Sequence, residues 1–131
     1  SFAERYILMG STKIAHISGK NGNDIHYLHT NHLGSPTLFI NSSGAVIGTR
    51  KYMPYGEVWE DTYGRGLRYG FTGAEQSEGL SFLGVRELDN SLARMTNPDV
   101  IIPYMMNPQS FNRYAYAHNN PVKYTDPSGY Q

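Results

Sequence analysis

Turn-forming residues interrupt this chain every ten to twelve positions, and the runs between them are short and rich in β-branched and aromatic side chains. That rhythm leaves little room for long helices and points to a chain of antiparallel hairpins. Residues 5–17 read as one hairpin, RYILM and KIAHI about a turn at Gly10-Ser11-Thr12. Residues 18–24 (SGKNGND) read as an exposed loop tip, and 25–30 as a short strand. His32-Leu33-Gly34-Ser35-Pro36 breaks that strand, because Pro36 has no N–H to give a central ladder. Residues 37–40 and 45–52 flank Asn41-Ser42-Ser43-Gly44, a turn in which Gly44 supplies positive φ. Met53-Pro54-Tyr55-Gly56 closes that unit.

With 131 residues the chain suits one domain. Its 11 tyrosines and 14 glycines suit short strands joined by tight turns. The fold class expected is mainly β, with short helices confined to the last third. Formal net charge is zero, so no basic surface for nucleic acid or anionic lipid is indicated. The lack of cysteine excludes a disulfide scaffold and a thiolate metal site. No apolar run approaches the ~20 residues that span a bilayer. The chain starts at Ser1 with no signal-peptide pattern, and it reads as a piece of something longer.

Residues 60–66 (EDTYGRG) read as a polar, low-complexity linker after the hairpins of 1–59. Residues 67–72 and 80–83 read as a further hairpin around AEQSEG, within a 67–86 unit. Residues 87–131 change character. Asp89 followed by helix formers up to Arg94 predicts a short helical turn. Asn107 is placed to cap a helix, with Pro108 at its first position and about two turns over 109–117. Asn119-Asn120-Pro121 stops it, and an extended run leads into Asp126-Pro127-Ser128-Gly129.

Several constellations invite chemistry. His26, His29 and His32 recur at every third position, but on a strand His26 and His29 face opposite ways, which counts against a shared metal. Hydrogen bonds to the following turn are the simpler expectation. Glu57, Glu60 and Asp61 beside Trp59 read as a solvated acidic loop rather than a glycosidase pair. The tyrosines read as wall packing rather than a sugar-stacking surface. His16 and His118 carry no signal alone. No phosphate-binding glycine loop and no Ser-His-Asp arrangement is legible, and no cofactor or metal is expected.

Two blocks carry a resemblance. The stretch YLHTNHLGSPTLFINSSGAVIGTRKYMPYGE and the closing NPQSFNRYAYAHNNPVKYTDPSG occur in that order. Together they resemble the RHS-repeat-associated core of bacterial RHS/YD-repeat proteins, as in toxin-complex C components and Rhs polymorphic toxins. The resemblance covers nearly the whole chain from Tyr6. It implies a hollow β-shell whose last segment, 87–131 here, plugs it. It further implies a toxin domain held inside and released by self-cleavage after the Asp-Pro-x-Gly motif.

Position by position, RMTNPDVIIP matches the pattern R-F-x-S-x-D-x-x-x-P, which puts Arg94 at its arginine and Asp99 at its acid. Asp126 is the aspartate of the closing motif, and Tyr130 precedes the implied cut, the Tyr130–Gln131 bond. Arg86 and Asp89 match the family run G-x-R-Y-Y-D-P, with Glu87-Leu88 in place of the paired tyrosines. Hydrolysis of a peptide needs an activated water and a proton donor; two carboxyls held close share those roles, and an arginine beside them stabilises developing negative charge. The implied partners are the rest of the shell, an enclosed toxin and a secretion component. The implied location is secreted or cell-surface, by way of a larger bacterial precursor. A second reading from a different class is a structural or adhesive YD-repeat module without chemistry.

Overall fold

The computed structural model describes residues 4–18, 24–101, 106 and 108–130. Six strands follow one another as an antiparallel meander: β1 (Arg5–Met9), β2 (Thr12–Ser18), β3 (Asp24–Thr30), β4 (Pro36–Asn41), β5 (Val46–Tyr52) and β6 (Val58–Asp61). Each pairs with its sequence neighbour. Four shorter strands form a second antiparallel sheet: β7 (Glu75–Ser77), β8 (Leu80–Phe82), β9 (Glu87–Asp89) and β10 (Arg94–Met95), ordered β10-β9-β8-β7. Among the described residues, helix is limited to 3-10 turns at Phe71–Gly73, Pro108–Phe111 and Ala117–Asn119. The architecture is the mainly β one that the turn rhythm predicts.

Local chemistry explains the turns. Between β4 and β5 the Asn41 Oδ1 accepts from the Ser43 N–H at 3.1 Å, the Ser43 hydroxyl at 2.7 Å and the Ala45 N–H at 2.9 Å. Gly44 then takes the left-handed conformation, φ +83°, at no steric cost.

Two small cores hold the layers together. One face of the first sheet presents Leu28 and Phe39, and Tyr63 lies over them, its ring stacked on Phe39 at 4.0 Å. The other core joins the second sheet to the last third: Phe71, Leu83, Leu88, Met95, Tyr116 and Ala117. At Gly48 a Cβ would stand 2.4 Å from the Tyr63 Cα, so bare backbone at β5 is what lets the 62–64 segment come down on the sheet.

Four expectations differ from the structure. The stretch read as a linker over 60–66 begins within β6, and its Tyr63 is buried against the sheet. The hairpin expected over 67–72 and 80–83 shifts: β7 pairs with β8 about Glu78-Gly79, while Phe71–Gly73 is a 3-10 turn. Asp89 does not cap a helix. Its Oδ1 accepts the N–H groups of Ser91 and Leu92 at 3.0 and 2.9 Å, closing the turn between β9 and β10. The helix expected over 109–117 is one 3-10 turn at its start, and Ala117, His118 and Asn119 are all left-handed. Three such residues in a row cannot continue a right-handed helix. The expected cap, Asn107, lies outside the described residues.

Candidate functional site: one guanidinium between two carboxylates

The closing turn is organised by Asp126. Its Oδ1 accepts the N–H groups of Gly129 and Tyr130 at 2.8 and 3.0 Å, curling the chain back over its own carboxylate. This turn seats on the one between β8 and β9, where the Val85 N–H donates to the Ser128 carbonyl at 3.2 Å. The fit is close. A Cβ on Gly129, whose φ is +78°, would stand 2.8 Å from the Arg86 backbone nitrogen, and one on Gly84 would stand 2.8 Å from the Ser128 carbonyl oxygen.

Arg86 occupies the junction. One guanidinium nitrogen, Nη2, lies 2.9 Å from Asp99 Oδ2 and 3.1 Å from Asp126 Oδ2. Nη1 donates to the Arg113 carbonyl at 3.1 Å, and Nε donates to the Gly129 carbonyl. The three side chains are 5%, 9% and 0% exposed for Arg86, Asp99 and Asp126. Asp99 comes from the loop after β10. Its N–H donates to the Arg113 carbonyl at 2.8 Å, its own carbonyl accepts from Arg113 Nε at 2.6 Å, and its Oδ1 accepts the Ile101 N–H at 2.9 Å. Two carboxylates therefore converge on one cation in a site nearly closed to water, where their charges interact far more strongly than at a surface.

Beside them Tyr116 is fully buried, and its hydroxyl makes no well-formed hydrogen bond among the described residues. Burial pushes its phenol up to about 12, with the Asp126 backbone N–H opposing that shift.

The structure thus brings Asp99 and Asp126 together across 27 positions. Arg94, expected as the electrostatic partner, lies elsewhere: it is exposed on β10, with its guanidinium 5.3 Å from the Tyr114 ring centre. The position between the carboxylates belongs to Arg86, which in the sequence matches only the arginine of the family run G-x-R-Y-Y-D-P. Tyr130 is held through its N–H and is 40% exposed, and Gln131 lies outside the described residues.

The other constellations separate. His26 is buried, His29 is exposed and His32 bonds the Val122 carbonyl at 2.7 Å. Among the described residues no three His, Cys, Asp or Glu side chains are grouped to hold a metal ion. Asp61 pairs with Arg50 at 2.5 Å and Glu60 with Lys51, while Trp59 is exposed.

Two antiparallel sheets of hairpins with a buried, charged closing turn fit one class of protein, a segment of an RHS/YD-type β-shell. The teneurin YD-shell family model matches residues 14–122, and the chain belongs to that family. Teneurin-1 of Mus musculus is 33% identical over 102 residues, 74% of this chain and 4% of the relative, and teneurin-1 of Gallus gallus is 34% identical over the same length. The chain thus spans 4% of the length of these relatives. Among solved structures it is similar to TcdB2-TccC3 without its hypervariable C-terminal region, with TM-score 0.79 and 23% identity over 98% of this chain and 6% of that one. The Photorhabdus luminescens Tc holotoxin pore is similar too, with TM-score 0.75 and 23% identity over 98% of this chain. These likenesses show the fold. No helix among the described residues is long and apolar enough to cross a membrane.

Proposed function

We propose that this chain is the closing segment of an RHS/YD shell that helps enclose a toxin polypeptide and frees it by cutting its own backbone at Tyr130–Gln131. The observation that carries the reading is the placement of Asp99 and Asp126 on one buried guanidinium beside the closing turn. In the reaction, one carboxylate takes a proton from water as the water oxygen adds to the Tyr130 carbonyl. The other carboxyl gives its proton to the leaving nitrogen of Gln131 as the C–N bond breaks. Arg86 takes the place first given to Arg94. Its Nε holds the carbonyl of Gly129, one residue from the reacting one, which keeps a fixed positive charge near the bond to be cut. The partners are the remaining shell, the enclosed toxin and a secretion component, in a secreted or cell-surface protein made as a larger bacterial precursor.

The test is to express the chain with a C-terminal extension and follow intact mass. The expected result is two fragments from the unaltered chain and one intact product from Asp99→Asn and from Asp126→Asn. Continued cutting in both variants overturns the assignment. Arg94→Ala is expected to cut normally.

A second reading, a shell module that performs no cleavage, has its own support. Asp126 and Asp99 each spend an oxygen on backbone N–H groups, and the family to which the chain belongs includes teneurins. It predicts a single intact product from the unaltered chain.

A further inference from the structure

Two histidines and a tyrosine share a second buried site, away from Arg86. His16 on β2 and His26 on β3 are register partners and are 1% and 2% exposed. Tyr63 reaches them from the segment after β6. Its hydroxyl lies 2.6 Å from His26 Nδ1 and 3.4 Å from His16 Nδ1. Tyr6 of β1 stacks on the His16 ring at 4.9 Å.

The protons are assigned by what each partner is able to do. Asp24 Oδ1 lies 2.9 Å from His26 Nε2, and a carboxylate only accepts, so Nε2 carries the hydrogen. His26 Nδ1 is then bare and accepts the Tyr63 hydroxyl. The Tyr63 oxygen accepts in turn from His16 Nδ1–H. His16 Nε2 is left bare and without a hydrogen-bond partner among the described residues; the Glu4 carboxylate stands 3.8 Å off, beyond hydrogen-bond reach. With both rings neutral, the chain Asp24–His26–Tyr63–His16 is closed.

Acid undoes it. A proton on His26 Nδ1 turns that atom into a donor, and the Tyr63 hydroxyl loses its acceptor. Two charged rings would also face each other with centres 6.4 Å apart inside the fold. The charged groups around the pair are Glu4 ahead of β1, Asp24 on β3, Arg65 paired with Asp24 at 2.5 Å, and Arg50 on β5 paired with Asp61 at 2.5 Å; Tyr6 and Tyr63 are the neutral titratable ones. Glu4 and Asp24 are 41% and 47% exposed, so water screens the attraction that would offset buried positive charge.

We infer that the His16–His26–Tyr63 network is an acid-sensitive latch that holds residues 62–66 on the first sheet and releases them when the imidazoles are charged. Tyr63 is the covering ring of the first core, so release uncovers Phe39 and Leu28. Burial lowers the His16 imidazole first of all, with Glu4 opposing it. A base whose folded value is depressed stabilises the fold fully above its unfolded value of about 6.5. That stability is lost as pH falls through the folded value.

The test is amide hydrogen exchange in the intact chain between pH 7.5 and 5.0, about one unit or more on either side of the free imidazole value. Rates at residues 62–66 are corrected for intrinsic exchange and read against the amides of Leu28 and Phe39. Opening is expected to rise as pH falls below about 6.5, by about tenfold per pH unit for one proton and about a hundredfold for two, and to level off below the folded His16 midpoint. The midpoint should match that of the His16 ring followed by NMR. His16→Asn keeps a donor near the Nδ1 position and never charges, so it should remove the share of the rise that the His16 proton contributes. Opening that is flat with pH in the unaltered chain overturns the latch, whatever the variant does. So does a rise that persists unchanged in a folded His16→Asn.

Discussion

Arg86 reaches acceptors from three separate stretches of chain, and few side chains could replace it. A lysine keeps the charge but lacks the planar fork that serves Gly129, Arg113 and the two aspartates together. Arg86→Ala leaves two carboxylates buried without their cation, and a loss of about 3–5 kcal/mol is expected by urea denaturation at neutral pH. Arg86→Lys should recover only part of it. Arg94→Ala removes one exposed ring contact and should cost under about 1 kcal/mol. Asp126→Asn separates two roles, since an amide oxygen still accepts the Gly129 and Tyr130 N–H groups. The turn should persist while the proposed cutting stops. The two acids were legible because each sits in a recognisable motif. Arg86 also lies in a family run, but the pattern that supplies Asp99 carries its own arginine at Arg94, and the role falls to that one in the sequence. Strand alternation decides between them: Met95 is 1% exposed, so Arg94 beside it on β10 must face outward.

Among elements, β1 to β6 follow closely from turn residues and β-prone runs, because each strand pairs with its sequence neighbour and the signal is local. The last third is decided by contacts distant in sequence, and there local propensity misleads. The same Asp chemistry that caps a helix also closes a strand turn, as Asp89 does. Tyr63 gave no sign of its burial within a polar stretch, because the room made for it lies at Gly48 on another strand. Gly48→Ala drives a methyl group into backbone rather than into a movable side chain, and a loss of about 1–3 kcal/mol is expected by denaturant titration. At Gly66 nothing lies within 4 Å of a Cβ and φ is not positive. Gly66→Ala should be neutral or stabilise by up to about 1 kcal/mol through the unfolded state.

For the whole molecule, alkaline pH reads the two cores at once. Burial pushes the phenols of Tyr63 and Tyr116 up to about 12, above the free value of about 10. An acid whose folded value is raised stabilises the fold below its unfolded value and loses that contribution as pH rises through the folded one. Stability should therefore fall from about pH 10 upward. A phenolate absorbance titration should show these two of the 11 tyrosines ionising after the exposed ones, together with loss of structure. The surface pairs Arg65–Asp24, Arg68–Glu75 and Lys51–Glu60 are exposed, so added salt should move stability little.

The meander has a consequence in time. Because β1 to β6 each need only a neighbour already made, the first sheet has what it needs to form while the rest of the chain is still being synthesised. The Arg86 cluster is different: it stays incomplete until Asp126 arrives, 40 residues after the arginine. Whatever the two acids do together is thereby withheld until the stretch from Arg86 to Asp126 has been made. The order of residues along the polypeptide acts as a clock, and the turn at Asp126 sets it running.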